Sequence, residues 1–238
     1  MTEAPKPKEI IEAARREGRR KLLEHEALSL VKAYGVPVPE FRLAKSVEEA
    51  VKAAKEIGFP LVLKVVSPDI VHKSDVGGVI LNVNTEEEVV KAFNTIMTNV
   101  PKKAPGARIV GVLVQRMAPE GLEVIVGATR DPVFGPVVMF GLGGVFVEVL
   151  RDVSFRVAPV DENEAMEMIR EVKGYKLLQG YRNMPPRDVE ALKRIIVAVS
   201  KLMMDLEEVS EMDLNPIMSY EAGKGAVAVD VRVILSSK

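Results

Sequence analysis

The hydrophobic positions of the first hundred residues follow two spacings, one typical of helices and one typical of strands. Apolar residues at helical spacing over 10–31, interrupted near Gly18, predict two helices. Short apolar runs predict strands at 41–44, 61–66 and 79–83. Capping-box pairs, which start helices, occur as Ser46 with Glu49 and as Thr85 with Glu88. We therefore expect an N-terminal arm and helix over 1–20, followed by an α+β unit over 21–105.

The second half of the chain repeats this mixture of strands and helices. Its apolar runs predict strands at 109–115, 122–128, 135–141, 209–217 and 226–233. Asp161 with Glu164 predicts another helix start, and a long amphipathic helix is predicted to begin at Pro185 and Pro186. These elements predict a second α+β unit over 106–238. The chain has 238 residues, of which 47% are hydrophobic, so it is long enough for two small domains.

Charge and composition exclude several classes of function. The 33 lysines and arginines nearly balance the 34 aspartates and glutamates, so no overall positive field favours nucleic acid or an anionic membrane. The chain contains no cysteine, which excludes disulfides, thiolate metal sites and cysteine nucleophiles. No apolar run reaches the length of a membrane span, and the N-terminal segment has no signal-peptide pattern. We expect a globular, cytoplasmic protein that binds neither nucleic acid nor membrane.

The segment from Pro60 to Val83 contains the first candidate chemistry. Lys64 is the one charged residue of an otherwise apolar strand, so its ammonium is expected to face an anion, such as a phosphate. The polar loop that follows is too long for a tight hairpin, and it contains His72. A histidine near a phosphate-binding lysine indicates a phosphate carrier. The alternative is a surface histidine that caps a turn.

A second polar cluster lies near the C-terminal end of the chain. Asp213 and Asn215 occupy alternate positions of a predicted strand, so their side chains share one face. Asp230, on the next strand, reaches them if the two strands form a hairpin. Carboxylate and amide oxygens so placed suit Mg²⁺, which also takes waters and substrate phosphates. The alternative is a solvent-facing polar stripe, although Asp and Asn are poor strand formers.

Three weaker signals concern a nucleotide. Glu123 can bind a ribose hydroxyl or be a surface glutamate. Gln115, Arg116 and Met117 form the end of a predicted strand. Their backbone groups can read an adenine edge, although any strand end offers the same groups. Backbone N–H groups near a phosphate are made accessible by glycines, here Gly141, Gly143 and Gly144. Neither GxxxxGK[ST] nor GxGxxG is present, so the chain is not a P-loop or Rossmann protein by motif.

Taken in order, these motifs resemble one family along nearly the whole chain. The resemblance is carried by EALSLVKAYGVPVP, GFPLVLKVVSPDIVHKSDVGGVILNV, VQRMAPEGLEVIVGATRDPVFGPVVMFGLGG and MDLNPIMS with AVDVRV. These stretches are similar to the ATP-grasp β subunit of ADP-forming acetyl-CoA synthetase and, more distantly, to the β subunit of succinyl-CoA synthetase. The resemblance implies an α+β ATP-grasp fold, in which two subdomains clasp ATP or ADP together with Mg²⁺.

The same resemblance implies a reaction, a partner and a set of residue roles. The reaction is acetyl-CoA + ADP + phosphate ⇌ acetate + ATP + CoA, catalysed with a CoA-binding α subunit in an α2β2 heterotetramer. The loop histidine of that family, here His72, carries the phosphoryl group, and Asp213 matches an acid that orients a phosphohistidine. Lys64 matches the lysine on the nucleotide phosphates. The remaining matches are Gln115, Arg116 and Met117 for the adenine hinge, Glu123 for the ribose, and Asn215 and Asp230 for Mg²⁺.

Two alternatives to this function stay open. One is the β subunit of a related acyl-CoA ligase that uses another acid, because the acyl pocket and the second histidine would lie in the partner. The other is a non-catalytic ATP-binding regulator, in which the loop merely closes on the nucleotide. The sequence also leaves open whether Asp213 or Asp75 fixes the tautomer of His72.

Overall fold

The computed structural model describes residues 6–144 and 151–237. Two helices come first, α1 (Pro7–Arg16) and α2 (Glu24–Ala33). The described residues divide into two compact units. The smaller, called the four-stranded unit, comprises Leu23–His25 and Pro39–Ala118. The larger, called the six-stranded unit, comprises the described residues within Met1–Leu22, Glu26–Val38 and Pro119–Lys238.

The four-stranded unit is an antiparallel sheet with two helices packed on it. Its strands lie in the order β1-β4-β2-β3, and they are β1 (Phe41–Ala44), β2 (Leu61–Val66), β3 (Val79–Val83) and β4 (Gly111–Arg116). Its helices are α3 (Val47–Ile57) and α4 (Glu86–Lys103). Side chains from the sheet and both helices form one apolar core, which includes Leu63, Phe93 and Ile96. The predicted order of strands and helices is confirmed here.

Capping residues fix where the two helices of this unit begin. Ser46 Oγ accepts a hydrogen bond from the N–H of Glu49 at 3.2 Å. Thr85 Oγ1 accepts one from the N–H of Glu88, also at 3.2 Å. Such bonds satisfy N–H groups that no helical carbonyl can reach, so each helix starts directly after its capping residue.

The six-stranded unit is a second antiparallel sheet. Its order is β10-β8-β5-β6-β7, and β9 pairs with β8. The strands are β5 (Leu122–Asp131), β6 (Gly135–Leu142), β7 (Val153–Val157), β8 (Val209–Ser219), β9 (Ala226–Ala228) and β10 (Val231–Leu235). The later helices are α5 (Glu162–Glu171), α6 (Tyr175–Leu178) and α7 (Val189–Asp205). The buried face of α7 packs on β5, β6 and α5.

The division of the chain differs from the expected boundary at residue 105. β4 was expected to open the second unit, but it pairs with β2 over Leu61–Val66 and with β1 over Phe41–Ala44. This central position buries Val112, Leu113 and Val114 completely. Because a strand buried on both sides belongs with its neighbours, the four-stranded unit extends to Ala118.

Two predicted elements near the C-terminal end also need correction. The long helix begins at Val189 and not at the prolines, because Asp188 caps it by accepting a hydrogen bond from Ala191 N–H at 3.0 Å. The strand expected over 226–233 is two strands, β9 and β10. They part opposite Pro216, which has no N–H to continue the ladder.

Of the helices that the structure describes between residues 6 and 237, none has the length and apolarity needed to cross a bilayer.

Candidate functional site

The loop between β2 and β3 presents His72 at an exposed position. On one side of it, Ile70 is buried in the core of the four-stranded unit. On the other side, the N–H of Gly78 donates to the carbonyl oxygen of Lys73 at 2.8 Å. A Cβ at Gly78 would lie 2.4 Å from Cγ1 of Val65, so only glycine fits this close approach. The loop is therefore fixed at both ends, with the imidazole between them.

A carboxylate lies beside this loop and beside the predicted phosphate-binding lysine. Lys64 is 6% exposed and Glu24 is 8% exposed, and Lys64 Nζ lies 2.7 Å from Glu24 Oε1. The ammonium of Lys73, the residue after His72, contacts the other oxygen, Oε2, of Glu24. The three residues form one cluster within the four-stranded unit, called the Glu24 cluster.

Sequence reasoning expected an anion at Lys64 but missed Glu24 as its counter-charge. A single charge in a buried strand signals that an opposite charge is needed. The signal does not say which acidic residue supplies it, and Glu24 lies 40 positions earlier in the chain.

The candidate adenine hinge lies at the end of β4. The side chain of Gln115 is fully buried. The N–H of Arg116 donates to the carbonyl oxygen of Glu40 at 2.7 Å, and the N–H of Met117 donates to that of Pro60 at 3.0 Å. These two N–H groups are thus occupied within the unit, contrary to the expectation that such an amide reads an adenine edge. A nucleotide role for this stretch stays a prediction for its other groups.

In the six-stranded unit, the structure brings the predicted metal-binding residues together. The N–H of Asn215 donates to the carbonyl oxygen of Asp230 at 3.1 Å, as expected for paired strands. Asp213 and Asn215 both line a pocket of about 320 Å³ over β5, β6, β7 and β8, with Met139 and Phe155 among its apolar walls. The expected proximity of the three polar residues is therefore found.

Electrostatics in this pocket disfavours further negative charge. Burial raises the pKa of the Asp213 carboxyl above its ordinary value, and the nearby carboxylates of Glu211 and Asp230 add to the rise. Arg232, which faces Asp213 across the β8–β10 pair, opposes it, as does a hydrogen bond with Asn215. A cation placed beside Asp213 would therefore gain more than it would beside a fully solvated acid.

The donor set fits Mg²⁺ held partly by a substrate. Among the residues that the structure describes, no three His, Cys, Asp or Glu side chains are grouped as a metal site. Mg²⁺ does not need such a cage, because it commonly takes one or two carboxylates together with phosphates and waters. The amide oxygen of Asn215 and the carboxylate of Asp230, beside a region of excess negative charge, are ligands of this kind.

The third group of predicted residues also lies in the six-stranded unit. The N–H of Gly143 donates to the carbonyl oxygen of Glu123 at 2.8 Å, and a Cβ at Gly143 would lie 2.8 Å from Cβ of Glu123. Close packing on β5 thus explains why residue 143 is glycine, and its N–H is already occupied without a phosphate. Glu123 and Gly144 are both exposed. The chain from 145 to 150 lies outside the described residues.

The chain matches one protein family and is similar to several known proteins. The model of the ATP-grasp domain matches residues 13–235. The chain is 54% identical to the β subunit of an ADP-forming acetate–CoA ligase I of Pyrococcus furiosus, covering 99% of this chain and 100% of that protein. It is 51% identical to the acetate–CoA ligase [ADP-forming] I of Archaeoglobus fulgidus, covering 99% of this chain and 34% of that protein. A 4-hydroxybutyrate–CoA ligase [ADP-forming] of Nitrosopumilus maritimus is 47% identical over 96% of this chain and 33% of its own length.

Two solved structures of an acetyl-coenzyme A synthetase 1 of Ca. Korarchaeum cryptofilum share the fold. One, in complex with coenzyme A, Ca-AMPCP and HgCl⁺, has a TM-score of 0.94 at 55% identity, covering 97% of this chain and all of that chain. The other, with coenzyme A and Mg-AMPPCP, has its phosphohistidine segment pointing towards the nucleotide binding site. It has a TM-score of 0.86 at 51% identity, with the same coverage.

Proposed function

Because the chain belongs to the ATP-grasp family of ADP-forming acetate–CoA ligase β subunits, we propose that it is the nucleotide-binding subunit of an ADP-forming acetyl-CoA synthetase. In this reaction acetyl-CoA, ADP and phosphate are converted to acetate, ATP and CoA. The role of this chain is to transfer a phosphoryl group between His72 and the nucleotide.

The observation that carries the proposal is the placement of His72. Its side chain is exposed on a loop that is fixed at both ends, and its neighbour Lys73 is held in the Glu24 cluster with Lys64. A phosphoryl carrier must meet both a donor and an acceptor, which a tethered and exposed imidazole can do. In one Korarchaeum structure a phosphohistidine segment points towards the nucleotide site. We assign the same role to the loop from Ser67 to Gly78.

The proposed step is an in-line transfer from histidine to ADP. The bond between phosphorus and the imidazole nitrogen of phosphorylated His72 breaks, and a bond forms between phosphorus and a terminal oxygen of the ADP β-phosphate. The released imidazole nitrogen takes up one proton. Such transfers depend mainly on positioning and on neutralising phosphate charge.

The chain's own groups supply these requirements. Lys64 neutralises a nucleotide phosphate from a buried strand, where its charge is little screened by solvent. Asp213 orients the phosphohistidine. Mg²⁺, held by Asn215 and Asp230, would supply further neutralisation of the phosphate charge. The other tasks are metal binding by Asn215 and Asp230, ribose binding by Glu123, phosphate contact by the N–H group of Gly144, and adenine binding at Gln115, Arg116 and Met117, outside the two N–H groups already occupied.

The proposed activity requires a CoA-binding α subunit. The Pyrococcus relative is named a β subunit, and this chain spans a third of the Archaeoglobus relative, a longer protein with the same named activity. These facts support a partner that supplies the rest of the enzyme. We propose an α2β2 heterotetramer in the cytoplasm, with the acyl and CoA sites in the partner.

Labelling tests the phosphohistidine directly. The full chain, with and without its α subunit, is incubated with γ-labelled ATP and Mg²⁺. Label on His72 that is lost in acid, retained in base and chased into ATP by ADP is the expected result. His72→Ala should take up no label. Unlabelled protein that still binds ATP tightly would contradict the relay and favour a regulatory ATP-binding subunit.

A second candidate is an acyl-CoA ligase with another acid. It is favoured by the Nitrosopumilus relative, which is named for 4-hydroxybutyrate. Assays of the complex with the cognate α subunit, run with acetate, 4-hydroxybutyrate and aryl acids, separate the two candidates by their kcat/KM values.

A further inference from the structure

The Glu24 cluster joins two lysines through one carboxylate. Its single carboxylate receives Lys64 Nζ on one oxygen and Lys73 Nζ on the other. Glu24 and Lys64 are more than nine-tenths buried, and the side chain of Lys73 is 19% exposed. One carboxylate thus joins a strand lysine, Lys64, to a loop lysine, Lys73.

We infer that Glu24 is a positioning residue that fixes the ammonium of Lys64 and, through Lys73, latches the His72 loop in one position. This inference rests on the proposed function for its catalytic meaning, but not for the latch itself. Glu24 need not touch the nucleotide, because it acts through the two lysines.

The side chain of Lys73 is the attachment next to His72 in the chain. Between the buried Ile70 and the buried Gly78, Val71 is 60% exposed and His72 is also exposed. Lys73 is the next residue after His72, so the position of its side chain limits where the imidazole can lie. Another lysine contact to the loop, from Lys103 Nζ to the carbonyl oxygen of Asp75 at 3.2 Å, is exposed. Exposed contacts of this kind hold a loop weakly.

The pair of Glu24 with Lys64 makes the latch reversible. Release of Lys73 moves its ammonium into solvent, while the buried carboxylate of Glu24 stays paired with Lys64. Removing the Glu24 carboxylate would bring the ammonium groups of Lys64 and Lys73 together without the negative charge between them. The two groups would then repel each other.

The latch is tested by hydrogen exchange of the full chain, read on peptides covering residues 71–77. We expect Lys73→Met to speed exchange of these amides by at least about tenfold, since a largely buried ion contact is lost. Glu24→Gln should speed it at least as much. The double variant should exchange no faster than the faster single variant, because both changes remove the same contact. Amides of β4, a central strand of the same unit, serve as an internal reference for folding.

Lys103→Met is the matched control, since it removes a lysine contact to the same loop from an exposed position. We expect it to change exchange by less than about threefold. Lys73→Arg should keep exchange as slow as in the parent, because it retains a positive charge at this position. The latch would be overturned if Lys73→Met left the exchange rates unchanged. It would also be overturned if the rate increase in the double variant equalled the product of the increases in the two single variants. This result is separable from the proposed function, which is judged by label on His72 and not by exchange.

A kinetic comparison in the assembled enzyme adds a readout that a merely structural role would not move. Lys73→Met should lower kcat while leaving the KM for ADP within about twofold, because Lys64 keeps its place. Glu24→Gln should change both kcat and the KM for ADP, because the ammonium of Lys64 loses the carboxylate that fixes its position. Equal changes of both constants in the two variants would contradict a positioning role.

Discussion

The backbone N–H of Asn215 donates a hydrogen bond to the carbonyl oxygen of Asp230 at 3.1 Å. This bond joins two residues 15 positions apart whose side chains carry the oxygens proposed to hold Mg²⁺. It is made by backbone atoms, so it is kept when the Asp230 side chain is removed. The metal-binding role can therefore be tested without removing this strand contact.

Asp230→Ala should weaken binding of Mg·ADP by about tenfold or more, because a carboxylate ligand is lost. Binding of ADP without Mg²⁺ should change far less. Titration calorimetry with and without the metal measures both affinities. Glu120→Ala, at an exposed position, is the control and should leave both unchanged. Equal weakening with and without Mg²⁺ would show that Asp230 is not a metal ligand.

Asp213→Asn should stabilise the isolated chain at neutral pH while impairing the assembled enzyme. Burial raises the pKa of Asp213 in the folded state, so the ionised form costs stability once the pH exceeds the unfolded pKa, about 3.9. The cost grows as the pH rises to the folded pKa and is constant above it. The variant has no such cost, so its advantage should shrink as the pH falls towards about 4.

Guanidinium unfolding of both proteins across this pH range measures the difference. Glu120→Gln is a suitable control, because surface substitutions usually change stability by no more than about 0.5 kcal/mol. A variant that is less stable than the parent at neutral pH would show that contacts of the Asp213 carboxylate outweigh its burial.

Arg19→Met should lower the stability of the six-stranded unit by about 2 kcal/mol, because it removes the guanidinium that donates two hydrogen bonds to the carboxylate of Glu26. Arg19 is 9% exposed, and its two terminal nitrogens each lie 2.8 Å from an oxygen of Glu26. Arg42→Met is the matched control. Its pair with Glu56 is exposed and 3.7 Å long, so its loss should cost less than about 1 kcal/mol. Similar losses for both variants, measured by chemical denaturation, would contradict the importance of burial.

The order of helices and strands and the α+β ATP-grasp fold could be predicted from the sequence, because their signals are local or belong to one family. Ser46 and Thr85 begin helices where the capping pattern places them. Family membership is confirmed by the ATP-grasp match and by the Pyrococcus relative. Local patterns did not reveal that β4 pairs with β2, since strand pairing depends on contacts between distant segments.

The candidate site shows the same limit. The sequence places Asp230 near Asn215 on the condition that the last two predicted strands pair, and the structure meets this condition. Glu24 could not be assigned to Lys64, because many acidic residues were available and only the fold selects one. The occupied N–H groups of Arg116 and Met117 likewise follow from where Glu40 and Pro60 lie in the folded chain.

Turnover of the assembled enzyme with His72→Ala tests the phosphoryl relay itself. This variant should bind Mg·ADP as tightly as the parent, because the nucleotide-binding groups remain, and should form no ATP from acetyl-CoA, ADP and phosphate. ATP formation at the parent rate by His72→Ala would contradict the phosphoryl relay.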